Sequence, residues 1–133
     1  MRAAIIIIIA IAFLSCKHNN KQLKERLTMA DSIAINYFKG DGTMDTVVTV
    51  KIIRDKNTMV LLSNFISSDI IKEKPNCGFD GSLHFFKTDM VLQDIYFRMN
   101  SDHCNQFTYS YNKERGAANL SADAKKLLLK LKQ

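Results

Sequence analysis

The chain has 133 residues, room for one domain and little more. Hydrophobic residues make up 47% of it, which excludes a disordered chain as the starting reading. The formal charge of +6 is spread along the sequence instead of clustering with aromatic residues, so the charge pattern excludes a dedicated nucleic-acid binder. The lysines that do gather, Lys125, Lys126, Lys130 and Lys132, read as a solvated helix face, with a weak preference for an anionic lipid surface as the functional alternative.

The N-terminus carries Arg2 and then an unbroken apolar run from Ala3 to Leu14. That run is short for a bilayer-spanning helix, which needs roughly 20 residues, and fits the apolar core of a secretory signal peptide. Its end, Phe13-Leu14-Ser15-Cys16, resembles the bacterial lipobox: a bulky apolar residue, a variable one, a small one, then cysteine. The resemblance covers residues 1–16 and implies cleavage before Cys16, a diacylglyceryl thioether on its sulfur and an acylated new N-terminus. Two or three chains anchor firmly where one alone anchors weakly, because each buried methylene contributes about 0.8 kcal/mol. A signal peptide cleaved elsewhere and a retained signal anchor are the alternatives. In lipoproteins an aspartate after the cysteine marks retention at the inner membrane; Lys17 stands there instead, and His18-Asn19-Asn20 lacks the acidic pair of surface-export signals. The resemblance therefore implies an outer-membrane protein facing the periplasm.

Residues 1–15 are thus expected as signal peptide, 16–30 as lipidated cysteine and tether, and 31–133 as a single domain. The tether is polar and basic, with good helix formers from Gln22 to Ala30 that suit a short helix. Ile33, Ile35 and Tyr37 alternate as in a strand, Gly40-Asp41-Gly42 breaks the pattern, and Thr46–Arg54 continues as a β-branched second strand. Asp55 or Asn57 caps a helix beginning near Thr58, with Leu61, Leu62, Phe65 and Ile66 gathered on one face. Pro75 forbids any simple continuation. Three strands follow, at Ser82–Lys87, Val91–Met99 and Gln106–Tyr111, the first two joined through Lys87-Thr88-Asp89. Ser121 caps a last helix whose stripe is Ala124, Leu127, Leu128 and Leu131. The order ββαβββα predicts an α+β fold: an antiparallel sheet of about five strands with two helices packed on one face.

With Cys16 assigned to lipid, Cys77 and Cys104 remain as a pair, and exported proteins mature where such pairs join. Closing a loop of that separation is worth roughly 3.5 kcal/mol on chain-entropy grounds. Two alternatives use the same residues. A metal site would combine Cys77, Cys104 and His103, with or without His84, but the spacing matches no zinc signature, so no metal is expected. A cysteine nucleophile served by His84 or His103 would need a thiolate that the bridge abolishes. Cys77-Gly78-Phe79-Asp80-Gly81 reads either as the tight approach to a strand or as an exposed loop presenting Phe79 and Asp80 to a partner. These motifs, with Asp102-His103-Cys104, resemble small lipoprotein domains of Gram-negative bacteria, which implies no particular activity.

Two functional expectations follow. The first is a non-enzymatic envelope lipoprotein that touches the lipid bilayer through acylated Cys16 and an envelope protein through its sheet face or loops, with Tyr96, Tyr109 and Tyr111 as contact residues. The second is a small envelope hydrolase using Asp80, Asp89, Asp94 or Asp102 with His84 or His103 in acid–base roles.

Overall fold

The computed structural model describes residues 20–41, 44, 46–72 and 75–133. Its elements run α1 (Lys21–Thr28), β1 (Ser32–Phe38), β2 (Val47–Ile53), α2 (Lys56–Ser67), β3 (Gly81–Lys87), β4 (Met90–Arg98), β5 (Gln106–Tyr111), β6 (Glu114–Asn119) and α3 (Ala122–Lys132). All six strands join one antiparallel sheet in the order β2-β1-β3-β4-β5-β6. The α+β class and the antiparallel sheet stand as expected. The counts are adjusted: among the described residues there are six strands instead of about five and three helices instead of two, in the order αββαββββα.

Alternation in β1 sets the core. Ile33, Ile35 and Tyr37 are fully buried. Register places Leu83 and Phe85 beside Ile35 and Ile33, then Ile95 beside Leu83, then Tyr109 beside Ile95. With Phe97 and Phe107 these side chains make one apolar face. The three helices all pack on it, through Leu23 and Leu27 of α1, Met59, Leu62 and Ile66 of α2, and Ala124 and Leu128 of α3. The Tyr37 hydroxyl crosses this layer and donates to the Leu128 carbonyl at 2.7 Å, while its ring meets Phe97 edge-on at 5.9 Å. Each helix starts on a side-chain cap. Asn20 accepts from the Leu23 N–H, Asp55 from the N–H and hydroxyl of Thr58, and Ser121 from the Ala124 N–H. The Thr58 bonds hold the Asp55 carboxyl below its ordinary range.

The expected tether is corrected over its second half. α1 belongs to the domain: Leu23 and Leu27 lie one turn apart and are 0% and 1% exposed. The Asn20 N–H donates to the Ser67 carbonyl at 2.8 Å, so the folded unit is fixed from residue 20. The signal peptide, Cys16 and residues 17–19 lie outside the described residues.

The strand missing from the sequence expectation is β6. Its residues, Glu-Arg-Gly-Ala-Ala-Asn, carry no β-branched or aromatic side chain. A two-residue turn at Asn112-Lys113, both at positive φ (51° and 66°), folds it back on β5. Gly116 is required there, because a Cβ would run into the ring of Tyr109 on the neighbouring strand.

Burial pushes the Tyr37 phenol well above its ordinary value. The folded state therefore holds that proton more tightly than the unfolded chain. The associated stability is complete below the usual phenol range of about 10 and is lost as pH rises through the folded value. We expect Tyr37→Phe to cost about 1–3 kcal/mol at neutral pH, from the lost bond and the orphaned carbonyl, and to flatten the alkaline fall of the urea midpoint. An unchanged alkaline limb in the variant would show that another group governs it; the buried Tyr109 phenol, also raised, is the control.

Candidate binding face

With the three helices on one side, no helix among the described residues covers the sheet's other face. On the β2–β1–β3 half this face is bare. Val48, Val50 and Ile52 alternate along β2 and are 53%, 56% and 51% exposed. Ala34 and Phe86 continue the apolar surface toward a cleft of about 590 Å³ bordered by Asp31, Arg54 and Asp89. Among the described residues β2 is an edge strand paired to β1 alone, whereas the outer edge of β6 is partly covered: the Ile71 N–H donates to Ala117 O and the Asn119 N–H to Asp69 O. Edge strands are often guarded by an outward lysine. Lys51, the one charged residue of β2, instead lies on the helix side, its Nζ donating to Gln133 O at 2.9 Å.

The centre of the face is polar and internally bonded. A bulge decides this arrangement. The hairpin turn at Thr88-Asp89 pairs Lys87 with Met90 and Phe86 with Val91, then Leu92 is inserted and the register shifts so that Phe85 faces Gln93 and His84 faces Asp94. His84 Nδ1 meets Asp94 Oδ1 at 2.5 Å, and its Nε2 meets the Ser82 hydroxyl at 3.0 Å. Asn36 Nδ2 donates to the same hydroxyl at 3.3 Å. Of the four aspartates and two histidines considered for acid–base work, these are the two that come together. Asp89 occupies the hairpin turn at φ 65°, and Asp102 and His103 are exposed in the β4–β5 connection.

The remaining part of the face is strapped by residues 75–79. Cys77 and Cys104 meet at disulfide distance, their Cα atoms 5.9 Å apart. Gln106 Nε2 donates to Pro75 O at 2.8 Å, and the Phe79 ring packs on Tyr96 with centroids 5.2 Å apart. Of the two readings of this run, the tight approach to a strand describes Asp80, and its display to a partner is corrected. It is 2% exposed and pairs with Arg98 Nη1 at 2.9 Å, while its other oxygen accepts from the N–H groups of Met99 and Asn100 at 2.7 and 2.9 Å. Gly81 follows because a Cβ there would strike the Phe97 ring and the Asn36 carbonyl. Phe79 remains half-buried against Tyr96. Tyr109 is likewise corrected from contact residue to core residue, and Tyr111 lies under the Arg26 guanidinium, 5.2 Å from its ring centroid.

Among the described residues, no group of three or more His, Cys, Asp or Glu side chains is placed to hold a metal ion, and no helix is long and apolar enough to cross a membrane. No family model matches the chain, and no curated protein or solved structure matches it. The face itself therefore carries the functional reading. The apolar row on β2 is what sequence reasoning missed: Thr46–Arg54 announced a strand, but not that its outward side would stay uncovered at a sheet edge.

Removing the Asp80 carboxylate strands a largely buried guanidinium and two backbone N–H groups. Asp80→Ala should lower stability by about 3–5 kcal/mol, read as the urea midpoint. Val50→Ala should stay within about 0.5 kcal/mol. Equal effects from the two would refute the assignment of Asp80 as the structural pin.

Proposed function

We propose that this protein is a lipid-anchored lipoprotein of the bacterial cell envelope, held through acylated Cys16 at the outer membrane and facing the periplasm, and that its task is binding. The bare half of the sheet face receives an envelope protein, which extends the sheet at β2. One observation carries this reading: Val48, Val50 and Ile52 are exposed together on a strand that, among the described residues, is paired along one edge. Strand addition supplies main-chain hydrogen bonds for affinity and alternate side chains for selectivity, and β2 offers both. Isolated exposed apolar residues need no explanation, but a contiguous row on an unpaired edge does.

Two measurements test it. Cys16→Ala should stop lipid labelling and release the protein from membranes; retained label would remove the anchor. A photo-crosslinking residue at Val48 should capture an envelope protein in intact cells, with the adduct abolished by Val50→Lys. The same probe at Leu129, exposed on α3, should capture none. Indifference of the Val48 adduct to Val50→Lys would count against docking at β2.

A second reading, the small hydrolase, has one observation in its favour: Ser82, His84 and Asp94 are linked in the atom order that activates a hydroxyl nucleophile. Against it, Ser82 is 2% exposed, its hydroxyl is already bonded to Asn36, and its backbone is paired on both sides, to Asn36 of β1 and Tyr96 of β4. The network reads better as polar groups satisfying one another. A fluorophosphonate probe should leave the native protein unlabelled. Labelling that disappears in Ser82→Ala would establish the hydrolase in place of the passive network.

A further inference from the structure

α1 and α2 lie side by side on the far side of the domain from the bare sheet face. In the groove between them, at the end where α1 starts, Lys21 and Lys24 stand opposite Asn64, Phe65 and Ser68. Leu61, one helical turn before Phe65, is 48% exposed. Ammonium groups beside an exposed leucine and a partly buried phenylalanine suit a surface that lies on a membrane, cations on the headgroups and apolar groups at the acyl boundary. Glu25, the acidic residue of α1, does not line this groove.

The length of chain ahead of the groove identifies what faces it. Asn20 is held to the domain by its bond to Ser67 O and by capping α1, and it lines the same groove. Cys16 stands four residues earlier, a reach of at most about 14 Å when fully extended. The radius of gyration of a domain this size is of similar magnitude, roughly 13 Å. A lipid on Cys16 therefore holds the domain against the bilayer, with the surroundings of Asn20 innermost. Anionic headgroups complement the two lysines there, and attraction at that range survives physiological salt, where screening extends over about 8 Å.

We infer that Lys21, Lys24, Leu61 and Phe65 form a docking surface for anionic phospholipid headgroups, so that the helix layer rests on the membrane and the bare sheet face points away from it. The inference rests on the lipoprotein reading, since the short reach from Cys16 brings the groove to the bilayer.

The chain contains no tryptophan, so Leu61→Trp and Val50→Trp each install a single reporter. The lipidated full-length product is reconstituted in vesicles of phosphatidylglycerol and phosphatidylethanolamine carrying bromine on their acyl chains. Leu61→Trp should be quenched and blue-shifted, and Val50→Trp should match its emission in unbrominated vesicles. Adding Lys21→Gln and Lys24→Gln to Leu61→Trp should shift the docked-to-undocked ratio on the order of 20-fold toward the undocked form. Phosphatidylcholine vesicles should give the same loss of quenching. Quenching at position 50, or none at 61, overturns the docking surface; so does quenching at 61 that ignores the lysines. Lipid labelling of Cys16 in the same preparations separates the two failures. Unlabelled protein overturns the anchor and this inference with it, whereas labelled protein with an unquenched reporter at 61 overturns the docking alone.

Discussion

Everything in this domain depends on the sheet burying one face under its three helices. Ile33, Ile35 and Tyr37 fix which face that is, and the register carries the choice across β3, β4 and β5. Three short helices suffice to cover it because each contributes two or three buried apolar side chains to the same cluster. None of the three is long enough to hold its shape alone in water; their caps define where they begin, and the sheet makes them persist. The opposite face must then meet water or a partner. Its centre does so through Asn36, Ser82, His84 and Asp94, which bond one another instead of leaving polar groups unsatisfied on a closely packed sheet.

Asp80 shows how the two faces are locked at one end. A buried carboxylate is costly unless its lone pairs are filled. Here Arg98 fills one side and two successive N–H groups fill the other. The same residue donates its own N–H to Phe97 O, and its carbonyl accepts from Phe38, so it ties β1, β3 and β4 together at their common end. The Cys77–Cys104 contact lies immediately outside this junction and fastens the strap to the β4–β5 connection. The distinctive Cys-Gly-Phe-Asp-Gly run is thereby accounted for by assembly. Gly78 adopts φ 73°, Phe79 covers Tyr96, Asp80 is the pin, and Gly81 admits the Phe97 ring.

Where sequence and structure part company, the cause is a term that local patterns do not carry. Strands with alternating large apolar residues were legible, as were the caps Asp55 and Ser121. β6 was not, because its small residues are chosen by the Tyr109 ring and by pairing, not by strand propensity. α1 carried a legible signal, Leu23 and Leu27 four apart, but its polar surroundings read equally well as a tether; only contact with α2 decides. In α2, Leu61 was expected with the core and is exposed, since a 12-residue helix on a sheet buries the narrower stripe of Met59, Leu62 and Ile66. The His84–Asp94 pair was illegible for a sharper reason. Counting back from the turn without a bulge puts Gln93 opposite His84, and only the inserted Leu92 brings Asp94 there.

The uncovered edge remains to be reconciled with the rest of the fold. A free strand of β-branched residues invites unwanted pairing, and proteins usually blunt such edges. β2 has no proline and keeps its only lysine turned toward α3. The β6 edge, by contrast, is blunted by residues 69–71, so the fold contains a means of guarding an edge and applies it on one side. The proposed membrane anchor would offer a second means, because tethered copies would meet only in the plane of the bilayer and in an orientation that a docked helix layer would restrict. The proposed short tether and the exposed edge of β2 would then be coherent as one design. On the proposed lipid-anchored reading, side chains that would aggregate in free solution would become a selective contact, with the helix layer turned to the lipid and the sheet turned out.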